Sequence, residues 1–281
     1  IPSAMGGTIK YDNSKLVFDG VVMTTTAHSG IETNGNNTND TVTLRNSTLN
    51  VPNGFGIYFP SSGTLTIDNS VINAKTMGVQ VCSGSLNITG AKTAITVTGD
   101  GIPKTINDGA IEDGAAISIV NRTGYKGLSE IKVEGGTFTA KSGNAAVKAY
   151  KWENQTESAF DNSENVVAIS GGTFSSEVDK SLCADGYIPT KNTDGTYSVK
   201  EGKYVAEIGS QGYESLTDAV AAAEDGQTVT LLADATEDVV ISKSITLDLG
   251  GKTLTNTNAG KATISVTGSF VTYGEVTIQN G

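Results

Sequence analysis

Several residue types are scarce in this 281-residue sequence, and each scarcity narrows what the chain can be. The sequence has one histidine, one tryptophan, two cysteines and five prolines, and aromatic residues make up 6% of it. Basic residues are also few, since 19 Lys and Arg stand against 30 Asp and Glu, which gives a formal net charge of −11. Because phosphate binding needs a basic stripe, nucleic acid is not expected as a partner.

Long apolar runs are absent too. No stretch approaches the length that spans a bilayer, so no membrane span is expected, and the first residues, IPSAMGG, lack the charged-then-apolar pattern of a signal peptide. Cys82 and Cys183 lie far apart in unrelated contexts, which fits neither a metal site nor a dense disulfide framework. Two separate thiols are the default interpretation, and a disulfide between them is the alternative.

Glycine, by contrast, is abundant, with 34 residues, and only 17% of residues are charged. This composition favours an all-β chain with many turns. Repeats are the strongest feature. Two apolar residues alternate with polar ones, a turn-forming dipeptide follows, and most copies then have a second apolar position. The copies are TVTLRNSTLNV (41–51), TLTIDNSVINA (64–74), SLNITGAKTAI (85–95), EIKVEGGTFTA (130–140) and VVAISGGTFSS (166–176).

A third short strand closes each unit, as in Gly56–Phe59 and Gly78–Val81. Three strands per repeat, a period of about 22 residues and no helix between strands predict an all-β parallel β-helix with three strands per coil. Longer spacings are attributed to insertions at 32–40, 99–114 and 151–165. The segment ESLTDAVAAAED (214–225) predicts one short capping α-helix, with Leu216, Val220 and Ala223 on its apolar face.

Two segments resemble known modules. Residues 169–202 look like the closing coil and exit hairpin of right-handed, pectate-lyase-like β-helix modules of secreted and cell-surface bacterial proteins, and residues 204–255 look like the opening cap of such modules. The resemblance implies a right-handed β-helix and an extracellular or cell-surface bacterial location. We therefore expect residues 1–200 to form the body and exit segment of one β-helix. Residues 201–281 would form a capping helix and opening coils.

Enzymes that cut acidic polysaccharides use this fold, but neither a clear carboxylate pair nor a triad around His28 stands out. Carboxylates gather in the 99–114 insertion, where oxygen ligands from an irregular loop are able to bind calcium. A solvated acidic loop is the interpretation favoured over a calcium site. No other cofactor is predicted. The candidate calcium ligands are Asp100, Asp108, Glu112 and Asp113.

Aromatic residues gather after the third strand of neighbouring coils. An exposed aromatic ring beside carboxylate and amide groups holds sugar rings in many proteins, so this edge is a candidate glycan site. The interpretation favoured over binding is that Trp152 and Phe160 pack the 151–165 insertion onto the body. The candidate ligand-binding residues are Tyr125, Tyr150, Trp152, Glu153 and Phe160.

The two ends of the sequence fit in register. GEVTIQNG (274–281) stops at the corner where other copies continue, and Gly7, Thr8 and Ile9 match the Gly-Thr-Phe that follows there in two copies. This match predicts that 201–281 caps the first coil of the same chain or of a neighbour, which in the second case gives head-to-tail self-association. The alternative is a piece of a longer protein with two tandem β-helices. The assembly residues would be Gly7, Thr8, Ile9, Leu216, Val220, Val276 and Ile278.

The sequence thus predicts an extracellular structural or adhesive β-helix protein that binds glycan and assembles head to tail. A polysaccharide lyase or glycoside hydrolase acting on acidic polysaccharide is the alternative. Recurring outward Thr-x-Thr pairs raise ice binding as a third option, but Asn87 and Lys132 interrupt that array.

Overall fold

The structure is a computed structural model that describes residues 15–102, 109–209, 211–268 and 275–281. Four of the predicted site residues, Gly7, Thr8, Ile9 and Asp108, lie outside this part of the chain. The protein is all-β with parallel sheets, and the described residues contain one α-helix. They fall into two compact units that divide between Glu201 and Gly202.

The first unit contains twenty described strands and one 3-10 turn, Lys180–Leu182. The strands are β1 (Lys15–Asp19), β2 (Val22–Thr24), β3 (Ser29–Glu32), β4 (Thr41–Arg45), β5 (Thr48–Val51), β6 (Phe55–Phe59), β7 (Thr64–Asp68), β8 (Val71–Ala74), β9 (Met77–Val81), β10 (Gly84–Thr89), β11 (Ala94–Val97), β12 (Ile117–Arg122), β13 (Leu128–Val133), β14 (Thr137–Thr139), β15 (Val147–Glu153), β16 (Thr156–Ala159), β17 (Val167–Ile169), β18 (Thr173–Phe174), β19 (Tyr187–Lys191) and β20 (Tyr197–Glu201).

Successive strands along the chain join the first, the second and the third of three sheets in turn. The first sheet has the order β1-β4-β7-β10-β13-β17, the second β2-β5-β8-β11-β14-β18-β20-β19, and the third β3-β6-β9-β12-β15-β16. Pairing is parallel except at β16, β19 and β20, which join in antiparallel fashion. Each parallel strand therefore sits beside its counterparts in the neighbouring repeats, three places away in chain order, or four where β16 intervenes, and this order is compatible with the predicted β-helix.

The alternating apolar residues explain this register. In the first sheet Val42, Leu65, Leu86, Ile131 and Val167 are direct partners on successive strands. All five are buried in one continuous core. A one-residue slip would turn this whole row to the opposite face, so the hydrophobic pattern fixes the pairing. The predicted register of the five repeats is confirmed.

The predicted corners are confirmed as well, with a difference in position. Asn46 and Asn69 have φ of 49° and 45°, and Gly90 has 85°, so the first residue of the dipeptide takes the left-handed conformation in these copies. In the last two copies the second glycine takes it, at Gly136 and Gly172. Asn and Gly are the residues that adopt positive φ at least cost.

The 151–165 insertion differs from the predicted loop. Strand β15 continues through Trp152 to Glu153 and turns back as β16. Asn154 and Gln155 have φ of 49° and 61°, and two consecutive left-handed residues make a type I′ turn, which suits a two-residue hairpin. The repeat periodicity did not reveal this hairpin because its second strand is exposed and polar.

The second unit begins with an antiparallel hairpin and continues with parallel pairs. Its elements are β21 (Ala206–Ile208), β22 (Gln211–Tyr213), α1 (Leu216–Ala222), β23 (Thr228–Leu231), β24 (Ala235–Thr236), β25 (Val239–Ile241), β26 (Thr246–Asp248), β27 (Leu254–Thr255), β28 (Ile264–Val266) and β29 (Thr277–Gln279).

Helix α1 is shorter than the predicted 214–225 segment. The Ser215 side chain caps it by accepting a hydrogen bond from Asp218 N, and the Glu237 carboxylate accepts from Leu216 N and Thr217 N. Leu216, Val220 and Ala223 are buried in the core of this unit, as the periodicity predicts. No helix in the described ranges has the length and apolar character to cross a membrane.

Candidate functional site

A groove on the first unit lies between residues 101–102 and 112–113 on one side and the β15–β16 hairpin on the other. It is shallow and open to solvent, with a volume of about 580 Å³. It brings together Trp152 with Glu112 and Asp113, which the sequence placed in two different candidate sites. The lining residues are Gly101, Ile102, Glu112, Asp113, Lys148, Trp152, Gln155, Thr156 and Glu157.

The wall of the groove rests on the outer face of the third sheet. Tyr58, Gln80 and Ser118 are register partners on β6, β9 and β12, and they alternate with residues of the main core. They are nevertheless buried, because residues 109–116 cover this face and form a second small core with it. This core contains Phe55, Tyr58, Met77, Cys82, Ala110, Ile111, Val120, Tyr150 and Trp152.

A reciprocal amide pair fixes the insertion to the sheet. Gln80 Nε2 donates to Ile111 O at 2.7 Å, and Ile111 N donates to Gln80 Oε1 at 2.8 Å. Ile111 is fully buried and Glu112 is 8% exposed. The favoured interpretation of 99–114 as a solvated acidic loop is therefore wrong for residues 110–114, because hydrogen bonds and apolar contacts hold this part against the sheet.

The two carboxylates in the groove accept hydrogen bonds from the sheets. Glu112 accepts from Thr76 Oγ1, and its Oε1 lies 2.7 Å from His28 Nε2. Asp113 accepts from Ser118 Oγ, from Tyr150 Oη at 3.0 Å and from Ala115 N at 3.1 Å. These bonds anchor both carboxylates without using a lysine or arginine.

Asp100, the third described candidate for a calcium ligand, points to a different partner. It forms an ion pair with Lys141, whose hydrogen bond holds the pKa of this exposed carboxyl below its ordinary value. Within the described ranges no group of three or more His, Cys, Asp or Glu side chains is placed to hold a metal ion. The described carboxylates do not assemble the predicted calcium site, and Asp108 lies outside the described residues.

Two of the four aromatic residues predicted to bind glycan, Tyr150 and Trp152, are buried. Tyr150 is 1% exposed and Trp152 is 5% exposed, and their rings meet edge to face with centroids 6.4 Å apart. Trp152 is packed in the second core, as the packing interpretation predicts, and Tyr150 is buried beside it, so neither presents a fully exposed ring. Phe160 packs against the main core, which is the packing alternative, and half-buried Glu153 pairs with Lys151 at 2.7 Å.

Burial also keeps the Tyr150 hydroxyl protonated. Loss of solvent, followed by the nearby Asp113 carboxylate, raises the pKa of Tyr150 far above its ordinary value. The hydroxyl therefore donates to Asp113 and holds that carboxylate at the groove. Tyr150 is a positioning residue in this arrangement, since it does not line the groove itself.

The sequence reasoning missed the buried Arg122. Its Nη1 donates to Tyr58 Oη at 3.2 Å and to Gly109 O, and its guanidinium lies 5.1 Å from the centroid of the half-buried Tyr125 ring. Arg122 is 3% exposed, and its Nη2 has no hydrogen-bond partner in the part of the chain that the structure describes. Tyr125 is one of the predicted ligand residues. Its ring contacts the Arg122 guanidinium, and its hydroxyl lies 2.9 Å from Tyr58 Oη.

A signal for this buried face was present in the sequence. Strands β6 and β9, FGIYF and MGVQV, have almost no charged or small polar residues, and every residue in them is buried. Near-continuous apolar strands indicate burial on both faces. Lys148, Gln155 and Glu157 carried no comparable signal, since they reach the groove only through the hairpin.

Two cysteines remain free: Cys82 is buried on the covered face, and Cys183 is half-buried.

Comparison of the chain with family models, curated proteins and solved structures found no match to any of them. The resemblance to pectate-lyase-like modules therefore stays a prediction, and function has to be argued from the groove.

Proposed function

We propose that the first unit is a right-handed parallel β-helix module of a secreted or cell-surface bacterial protein, and that it binds glycan in the groove. The rotation of successive strands through three parallel sheets supports the β-helix. The resemblance stated for residues 169–202 supports its hand and its location. The role proposed for this module is structural or adhesive.

The observation that carries the proposal is the lining of the groove. Trp152 is 5% exposed and offers only the small part of its ring that lines the groove, while Glu112, Asp113, Gln155 and Thr156 offer acceptors and donors for hydroxyl groups. Sugar rings present apolar C–H faces and polar hydroxyl edges, so this mixture complements them. Both walls are held by hydrogen bonds, which lowers the ordering cost of binding.

Tryptophan fluorescence tests this proposal, because Trp152 is the single tryptophan of the chain. We expect a saturable change in its emission on titration with one member of a panel of neutral, acidic and amino-sugar oligosaccharides. Gln155→Ala, on the exposed turn, is expected to weaken binding severalfold without a change in the melting temperature. A panel without any effect on Trp152 emission contradicts glycan binding in the groove.

An enzyme acting on polysaccharide is the second candidate. It is favoured by one observation, the two neighbouring carboxylates Glu112 and Asp113 that line the same groove. Release of reducing ends or of unsaturated products from any bound glycan, abolished by Glu112→Gln, would establish it. Binding without product over a long incubation supports the module.

Head-to-tail self-association is a separate part of the proposal. In the second unit Val266 and Ile278 are register partners of buried Ile241 and Leu247, yet they are 61% and 49% exposed. Val276 is partly buried against the same core, whereas Leu216 and Val220 are buried within it. Pairing of another strand edge would cover the two exposed residues.

Sedimentation velocity over a range of concentrations tests self-association. We expect the sedimentation coefficient to rise with concentration, and we expect Val266→Asp with Ile278→Asp to remove the rise. The matched control is Val240→Asp, at an exposed position whose side chain lies on the opposite face of its strand. A monomer at all concentrations contradicts this part of the proposal.

A further inference from the structure

Carboxylates tie together the parallel strands of the second unit. Three aspartates stand shortly before a strand, and each accepts a hydrogen bond of 2.8 Å from the backbone amide 19 residues further along the chain. The pairs are Asp225 with Ser244 N, Asp234 with Thr253 N, and Asp238 with Thr257 N. Each donor lies in the segment that leads to the parallel partner of that strand. The carboxylates therefore join the entries of β23 and β26, of β24 and β27, and of β25 and β28.

Asp238 is bound through both of its oxygens. Its Oδ1 accepts from Thr257 N, its Oδ2 accepts from Thr257 Oγ1, and Lys261 Nζ faces Oδ2 at 3.4 Å. The hydrogen bonds from Thr257, and after them Lys261, hold the pKa of Asp238 below its ordinary value. This environment stabilises the ionised form of the side chain.

Asp248 is held in the same way at the end of β26. Its Oδ1 accepts from Gly250 N at 2.8 Å, and its Oδ2 accepts from Gln279 Nε2 at 2.8 Å and from Asn280 Nδ2 at 3.0 Å. The bond from Gln279, followed by that from Gly250 N, lowers the pKa of Asp248. Because these donors are amide N–H groups, they are unable to accept the proton of a neutral carboxyl group.

The first unit uses neutral side chains where the second uses carboxylates. Ser47 N donates to Ser70 Oγ at 3.0 Å, and Lys92 N donates to Asn69 Oδ1 at 3.3 Å, with 23 residues between the partners of each pair. Hydroxyl and amide oxygens remain acceptors in acid. The carboxylates of residues 110–114 hold the insertion against the sheets.

We infer that the second unit is an acid-sensitive switch, which unfolds on acidification while the strand ladder of the first unit stays folded. A charged acceptor makes a hydrogen bond about twice as strong as a neutral one, so protonation weakens the ties at all three pairs of strands together. The second unit also has the smaller core among the described residues, which leaves less apolar burial to compensate. Acid therefore acts on this unit first.

The sign of the pH dependence follows from Asp238 and Asp248. Their pKa values lie below the ordinary value of 3.8 in the folded chain, so the unfolded chain takes up protons first as the pH falls. The stabilisation that they provide is complete above about pH 5 and is lost progressively below about pH 4.

The switch has a consequence for assembly. Val266 and Ile278, the exposed residues that carry the proposed self-association, belong to the second unit. Unfolding of this unit in acid would release an assembly made through them. This consequence rests on the proposed self-association, whereas the acid response itself does not. A chain that is monomeric at neutral pH contradicts self-association, and hydrogen exchange still decides the acid response.

Urea titrations of the whole chain at about pH 7, 5, 4 and 3 test the inference, with a short hydrogen-exchange pulse and peptide mass analysis at each urea concentration. Peptides from 226–256 report the second unit, and peptides from 41–89 report the first. Between about pH 5 and pH 3 we expect the urea midpoint of the second unit to fall by on the order of 1 M. The midpoint of the first unit is expected to fall by less than about half as much.

Matched substitutions assign the response to the carboxylates. Asp238→Asn combined with Asp248→Asn keeps an acceptor oxygen at each site and removes two titrating groups, so the fall of the second-unit midpoint should shrink by roughly a third or more. The control is Asp194→Asn. Asp194 also accepts from a threonine amide and hydroxyl, but these belong to Thr196, two residues later in a hairpin of the first unit. The control should leave the fall of the second-unit midpoint unaltered.

Equal falls of the two midpoints, or a larger fall of the first, overturn the inference. A double variant that keeps the full acid response also overturns it, because other groups then account for the effect, and so does a control that reduces the response equally. Since the readout is the change in midpoint between two pH values, a uniform loss of stability in the double variant cancels out.

Discussion

The outer faces of the first and third sheets of the first unit are built from the same repeat, yet they differ in what covers them. On the first sheet the outward residues are half-exposed threonines such as Thr43 and Thr66. On the third sheet the outward Tyr58, Gln80 and Ser118 are buried under residues 109–116. The difference shows that the repeat supplies the scaffold, while the insertions supply the chemistry that a ligand meets.

The largest expected loss of stability comes from a substitution in the core that both faces share. Ile67 is fully buried in the first sheet, and Ile67→Asp places an unpaired charge there, so we expect loss of more than about 4 kcal/mol and no cooperative thermal transition. The neighbouring Thr66→Asp, on the outward face, is expected to cost about 1 kcal/mol. Circular dichroism melts measure both, and similar melting of the two variants would contradict the register.

The next largest loss of stability is expected from substitutions that loosen residues 109–116 from the third sheet. Trp152 and Ile111 are both buried in the second core, so Trp152→Ala is expected to cost about 3–5 kcal/mol and Ile111→Ala about 2–4 kcal/mol. Hydrogen exchange should then increase around residues 109–116 while the first sheet keeps its protection. Uniform deprotection of all three sheets would show that the covered face is not a separate unit of stability.

The covered face also predicts a dependence on alkaline pH. Burial raises the pKa of the Cys82 thiol from 9.0 to about 12. A raised thiol pKa means that the unfolded chain loses its proton first, so the contribution of Cys82 is complete below about pH 9 and is lost progressively up to about pH 12.

Denaturant melts of the chain and of Cys82→Ala from pH 8 to pH 11 measure this contribution. The difference between the two proteins should shrink as the pH rises through that window, because only the unmodified chain contains the buried thiol. A constant difference would show that Cys82 reaches solvent.

The smallest effect is expected on the outer face of the first sheet, which no described insertion covers. Thr43→Ala removes a half-exposed side chain that touches neither core, so its effect on the free energy of unfolding should stay within about 0.5 kcal/mol. Its binding of glycan, measured by Trp152 emission, should be unchanged. A clear loss of binding would place a ligand on the first sheet and erase the contrast between the two faces.

The architecture was predictable because it is encoded locally. The alternation around Val42 and Leu44 fixes which face is inside, and Asn46 or Gly90 fixes where each strand turns. The helix face of Leu216 and Val220 follows from periodicity in the same way. These signals lie within a few residues of the position they determine.

The groove was predictable only in part. Trp152, Glu112 and Asp113 were recognised by residue type, but their meeting depends on the pairing of Gln80 with Ile111, which are 31 residues apart. The type I′ turn at Asn154 and Gln155 sets Glu157 beside Lys148, and Glu157 lies on the hairpin strand that does not belong to the repeat. No local pattern reports such long-range contacts, and Arg122 was missed for the same reason.

In the second sheet the register passes unchanged across the insertion before β12. Ile95 of β11 pairs with Ile72 before it and with Phe138 after it, although residues 99–114 intervene between them along the chain. Lengthening a corner therefore leaves the ladder intact, and loop closure grows only slowly with length. Each corner of this scaffold is in effect a graft point, where a foreign loop can be installed over one sheet face and a new specificity built without redesigning the framework.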